Sequence, residues 1–296
     1  MRRSFIRTFC FLLLGTLGLS GNAYSKPPVV VEFFGKDNCA ADIDIQESLQ
    51  EIVQNEQDVL LINCRGWYDG EDERNRFSHS LCNKRYKTYD MNFRTAVLFT
   101  EVAIVVNGKW DAYMNDITPA INLGRTDNVQ PIEMRVHETM MDISVPEIES
   151  KVGHGEIFLY AYAPTQGEES YFVDPDVEFT DQMREDIRLD KSVPFVTKRR
   201  TGQLYVRPIL SIEKIGKWVG QKMDLNYPLQ ELTSMAGELT PDLSYVVVVH
   251  EGHEFGPVIA AGEIMSSKEF YNSLPQSQAD NIEFTSQPTD ALLTVQ

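Results

Sequence analysis

Val29-Val30-Val31-Glu32-Phe33-Phe34 decides how the chain is read. An apolar run of strand length, it is too uniformly hydrophobic for a sheet edge and should be central. Working outward, Gly35-Lys36-Asp37-Asn38 turns the chain. Ile45, Leu49, Ile52 and Val53 then recur at helical spacing, and Asp44 with Glu47 has the offset of a capping pair. Val59-Leu60-Leu61-Ile62 follows as a second strand. Strand, turn, helix and strand make a unit with a right-handed crossover and a parallel pair.

A polar stretch from Arg65 to Asn75 leads to a helix expected over roughly 75–89, with Phe77, Leu81, Cys82, Tyr86 and Tyr89 mostly on one side. Arg74, Arg76, Lys84, Arg85 and Lys87 read as the wet face of that helix. Val102 to Val106 forms a further strand, and Asn107-Gly108 after it is a hairpin signal, since both residues accept the positive φ of a type I′ turn. A short helix around 111–122 closes a first domain over 27–123. The order β-α-β-α-β-β-α is compatible with a thioredoxin-like α/β domain and with other small α/β folds.

Beyond the linker Asn122 to Asn128, strand-like pieces dominate to about residue 265: Ile132–Val136, Asp142–Val145, Glu156–Ala163, Glu169–Val173, Leu204–Ile215, Trp218–Leu225, Tyr245–His250 and Pro257–Ile264. Many short strands with Gly and Pro turns predict an all-β, sandwich-like second domain over 128–265. Partial alternation in Glu156 to Tyr162 suggests a strand covered on both faces. The charged segment 174–200 reads as an exposed insertion, with Thr197-Lys198-Arg199-Arg200 as a solvated turn, and 266–296 as a flexible C-terminal tail.

The N-terminus carries Arg2, Arg3 and Arg7, then an apolar core from Phe9 through Leu19, then small residues around Ala23 and Ser25. This describes a secretory signal peptide over 1–25, its apolar core being shorter than the ~20 residues that span a bilayer. The expected location is the periplasm, with no direct membrane span after cleavage. Roughly 270 residues then remain, enough for two domains with separate cores. The net charge of -17 excludes a general nucleic-acid binder and a general binder of anionic membranes, which need clustered positive charge. A protein partner in the cell envelope is the expected one.

With Cys10 in the leader, Cys39, Cys64 and Cys82 remain. In an oxidising compartment an odd count predicts one bridge and one free thiol, or an intermolecular link. Cys64 to Cys82 is the most natural bridge, tying a strand end to the following helix, and Cys39 to Cys64 is its main competitor.

At Val29 to Cys39 and at Val105-Val106-Asn107-Gly108 the chain resembles the secreted thioredoxin-like proteins of domain-of-unknown-function family 1223. Echoes of its second half are Ile215-Gly216-Lys217-Trp218-Val219-Gly220 and Pro257 to Gly262. The resemblance runs over about 28–265 and implies a dithiol Cys-x-x-Cys at a helix start. Here Cys39-Ala40-Ala41-Asp42 occupies it, so Asp42 stands where the second thiol belongs. Trp67 and Tyr68 fall in the family's aromatic segment, and Glu101 stands where the family carries a cis-proline. The family's glycine-glutamate-asparagine stretch has no counterpart near Pro194 to Gly202.

These departures decide the chemistry to expect. Dithiol exchange needs a second thiolate to resolve the mixed disulfide, and Asp42 is not one. Cys39 is left as a candidate monothiol, which a nearby carboxylate would oppose in its thiolate form. Asp42, Glu101, Trp67 and Tyr68 would line the altered groove. A metal set drawn from Cys39, Asp42, Cys64 and Glu101 has no ligand-spacing signature, and His250-Glu251-Gly252-His253 lacks the helical separation of a zinc motif. No metal and no cofactor is assigned. The expectation is a non-catalytic interaction or structural protein, with a monothiol redox accessory acting through Cys39 as the alternative.

Overall fold

The computed structural model describes residues 26–35, 40–65, 80–93, 103–112, 117–137, 139–172, 198–232 and 242–266. Strand β1 (Val29–Gly35) is central, as its composition requires. It pairs in parallel with β2 (Val59–Arg65) and antiparallel with β3 (Ala103–Val106), which pairs in turn with β4 (Trp110–Ala112), giving the order β2-β1-β3-β4. Helix α1 (Ala40–Asn55) makes the crossover from β1 to β2. Alternation along β1 divides its side chains between two cores. Val29, Val31 and Phe33 meet Ile45, Leu49 and Val53 of α1 and Ile117, Ala120 and Ile121 around α3 (Thr118–Gly124).

Several boundaries differ from the expected ones. α1 begins at Ala40, so Asp44 lies inside the helix and the Asp44–Glu47 pair is not its cap. The third helix starts at Thr118, with Pro119 in its first turn. Trp110–Ala112 is a strand because the Asn107-Gly108 turn, with φ of 50° and 66°, sends the chain back along β3. Asn107 is wholly buried and does more than turn. Its Oδ1 accepts from Val30 N (2.8 Å), its Nδ2 donates to Gly124 O (2.9 Å), and its backbone carbonyl accepts from Val258 N (2.9 Å).

The later strands are β5 (Gln130–Pro131), β6 (Glu133–His137), β7 (Met140–Val145), β8 (Gly155–Tyr162), β9 (Gln166–Phe172), β10 (Lys198–Tyr205), β11 (Ile209–Trp218), β12 (Met223–Pro228), β13 (Ser244–Glu251) and β14 (Val258–Ile264). They form a five-stranded sheet β11-β8-β13-β14-β5, a three-stranded sheet β12-β7-β6 and a ribbon β10-β9. Lys198 to Arg200 pair with Phe172 to Ser170 in that ribbon, so they are strand and not the expected turn.

The five-stranded sheet has a core on each face. Ile157, Leu159, Val247 and Val249 pack with Met134, Met141, Ile143 and Val145 of the three-stranded sheet. Phe158, Tyr160, Tyr162, Val246 and Val248 pack on Val30, Phe34, Leu60, Ile62 and Val105 of the first sheet. Burial on both faces explains why β8 lacks a clean polar alternation. It also revises the expectation of two separate cores, since this middle core draws on both halves of the chain.

Helix α2 (Ser80–Phe93) flanks that middle core and is tied to the end of β2 by the Cys64–Cys82 disulfide. The bridge closes a loop with a sequence separation of 18, for which chain entropy gives about 3 kcal/mol. Replacing both cysteines by alanine is expected to lower the unfolding free energy by about that amount in urea titration. Among the described residues, no helix is long and apolar enough to cross a membrane.

Candidate functional site

Parallel pairing sets Gly35 and Arg65, the last residues of β1 and β2, side by side, and the first turn of α1 lies over them. Carboxyl ends of parallel strands are where α/β sheets usually open a crevice. Here the space is filled. Asp42 and Arg65 are both wholly buried, with Arg65 Nη1 donating to Asp42 Oδ1 and Nη2 to Oδ2, each at 2.7 Å. A Cβ on Gly35 would lie 2.2 Å from Asp42 Oδ1 and 2.4 Å from Arg65 Nη1, so the pair fits over the strand end because that residue has no side chain. The Arg65 guanidinium also lies over the Tyr205 ring, 5.1 Å from its centroid.

One helical turn further on, Gln46 Oε1 accepts from Asn63 Nδ2 (3.0 Å) and from Val206 N (2.9 Å), and Asn63 Nδ2 donates to Val206 O (2.7 Å). α1 therefore clamps β2 and the chain at Val206 together through buried polar groups. Asp42 is one of these clamps. Its negative charge is compensated by Arg65. Cys39, Trp67, Tyr68 and Glu101 lie outside the described residues. Cys64, one of the metal ligands considered, has its sulfur in the disulfide.

A second buried cluster was missed from sequence. Glu32 faces the middle core and is wholly buried. Arg85 Nη2 donates to Glu32 Oε1 (2.7 Å) and Oε2 (2.6 Å), and Nε donates to Oε2 (3.0 Å). Tyr89 Oη donates to Glu32 Oε1 at 3.0 Å. Arg85 Nη1 donates to Glu254 O at 2.7 Å. Arg85 departs from the wet helix face that the charge pattern of α2 predicts for it. It is 3% exposed, while its neighbours Lys84 and Lys87 are exposed. Burial is the largest single influence and works against its charge, but the Glu32 carboxylate together with Tyr160 and Tyr89 outweighs it and raises the guanidinium's pKa. The available signal was Glu32 itself: an acid in the centre of a covered strand requires a cation.

His250 joins this cluster, with Nε2 3.3 Å from Arg85 Nη2 and Nδ1 2.9 Å from Gly256 O. Burial, and then the positive charge of Arg85, push the imidazole well below its ordinary pKa. The residues Gly252 to Pro257 form the β13–β14 hairpin turn. A third buried set, Arg207 with Glu263 (3.2 Å) and Tyr162 donating to Glu263 (2.6 Å), braces the far end of the same sheet. Among the described residues, no group of three or more His, Cys, Asp or Glu side chains is placed to hold a metal ion.

No protein-family model and no curated protein matches the chain. Two solved structures resemble it. The crystal structure of protein AGR_C_4864 from Agrobacterium tumefaciens aligns with a TM-score of 0.56 at 12% identity, covering 82% of this chain and 96% of that one. HBP35 of Porphyromonas gingivalis aligns with a TM-score of 0.42 at 13% identity, covering 90% of this chain and 82% of that one. The first likeness concerns the fold alone.

Proposed function

We propose that this chain is an exported thioredoxin-like protein that acts by binding and not by thiol exchange, as an interaction or structural subunit of an envelope assembly in the periplasm. The observation that carries this reading is the Asp42–Arg65 pair. The position that the resemblance gives to the resolving thiol holds a wholly buried carboxylate with both oxygens bonded to arginine. The thioredoxin-like assignment draws support from the β2-β1-β3-β4 order, with one parallel pair, a helical crossover and an antiparallel hairpin. A buried disulfide suits an oxidising compartment.

The alternative, a monothiol accessory, differs in what it needs from Cys39. Cys39→Ser is expected to leave the protein's co-migration with its envelope complex on native gels unchanged. A mixed-disulfide adduct present in the wild type, and lost together with complex association in the variant, would instead establish the monothiol role.

A further inference from the structure

Four elements meet at Arg85. It sits on α2, it holds β1 through Glu32, it fixes the hairpin turn through Glu254 O, and it faces β13 through His250. The chemistry of the partners sets the state of the histidine. A carbonyl only accepts, so the Nδ1 that contacts Gly256 O carries a hydrogen, and a guanidinium only donates, so the Nε2 that contacts Arg85 carries the lone pair. The ring is therefore neutral and of one tautomer. A proton added at Nε2 would set one N–H against another and one buried cation against a second.

We propose that His250 makes this junction acid-sensitive: its protonation expels the Arg85 contact and lets α2 and the turn Gly252–Gly256 part from the five-stranded sheet while the sheets stay folded. The other groups around the ring do not offset the added charge. From β1, Glu32 already compensates Arg85 and accepts from Tyr89 of α2. From β8, Tyr160 is a buried phenol whose own pKa burial raises, Phe158 packs its ring edge-on at 5.9 Å, and Glu156, opposite His250 in register, accepts from Lys214. From the turn, Glu254 is paired with Lys84 of α2, and His253 adds positive charge if protonated. The depressed pKa of His250 agrees with this geometry.

The opening is local because of what holds the turn. Beyond Arg85 it is fastened to α2 by the half-exposed Lys84–Glu254 pair and by Phe255, whose ring lies 5.4 Å from Lys84 Nζ and 5.8 Å from the Arg85 guanidinium. Such contacts belong to the low-stability end of a structure. The Cys64–Cys82 bridge keeps α2 tethered when it moves.

Linkage gives the sign and the size. His250 is neutral in both states above its unfolded pKa of about 6.5, so pH has no effect there. Below that pH the open state takes a proton that the closed state refuses, and opening rises about tenfold per unit until the closed-state pKa is reached. Amide exchange in α2 and in the turn, corrected for intrinsic rates, should show more opening at pH 4.5 than at pH 7.5, rising by up to about tenfold per unit below the unfolded pKa. These amides should open at lower free energy than those of β1, β2 and β8, and His250→Gln should abolish the pH dependence of the local opening. The inference fails if α2 and the turn exchange only together with the sheets, or if His250→Gln keeps the same pH dependence. Ring-nitrogen NMR of the wild type supplies a check that no variant can spoil: a hydrogen on Nε2 at pH 7.5 would overturn the geometry. The inference does not depend on the binding role proposed above, and either can fail alone.

Discussion

Arg85→Met is expected to destabilise the protein by about 3–5 kcal/mol, the usual cost of removing one member of a buried ion pair. The substitution leaves the Glu32 carboxylate wholly buried in the middle core, with the Tyr89 hydroxyl still donating to it. It also releases Glu254 O and the Nε2 of His250. Glu32→Leu alone leaves the guanidinium buried without its carboxylate and should cost a similar amount. Glu32→Leu with Arg85→Met removes both charges and should recover much of the loss, because a buried pair replaced by apolar groups of similar volume is often neutral. Urea unfolding of the wild type, the single variants and the double variant measures this as a coupling energy. Additive losses would mean that the two side chains do not act as a pair.

The second large effect is expected at Asp42. Asp42→Ala leaves Arg65 buried with its carboxylate partner gone, and should cost about 3–5 kcal/mol. Asp42→Asn keeps the shape and one oxygen acceptor and should cost less. Asp42→Cys writes a Cys-x-x-Cys sequence, yet a thiol supplies neither of the two 2.7 Å bonds that Arg65 makes. It should behave in thermal and urea unfolding like Asp42→Ala. Arg65→Lys should also destabilise, since an ammonium cannot reproduce the planar two-point contact or the stacking on Tyr205. A wild-type stability in Asp42→Cys would mean that the pair is incidental to the fold.

Local pattern carried much of the architecture. The uniform hydrophobicity of Val29 to Phe34 places β1 at the centre, Asn107-Gly108 places the β3–β4 turn, and Cys64 at a strand end with Cys82 in the following helix favours the observed bridge over Cys39–Cys64. What local pattern does not carry is partnership over long separations. Asp42 finds Arg65 across 23 residues, and Arg85 finds His250 across 165, through contacts that exist only once the sheets stack. For the same reason α2 looked charged on its outer face, when one of its cations points into the core. Of the altered site, the sequence made plain that Asp42 is not a thiol. It held no sign that the carboxylate would be sealed by an arginine from the end of the neighbouring strand.

The most direct measurement is reduction of a protein disulfide, with insulin as substrate, by the purified mature chain under a glutathione or dithiothreitol supply, alongside its Cys39→Ser variant. With Asp42 buried against Arg65, and Cys64 bonded to Cys82, wild type and variant should both stay at the rate of the reductant alone. Multiple turnovers by the wild type, absent from Cys39→Ser, would contradict the binding role and make the chain a working thiol-exchange enzyme.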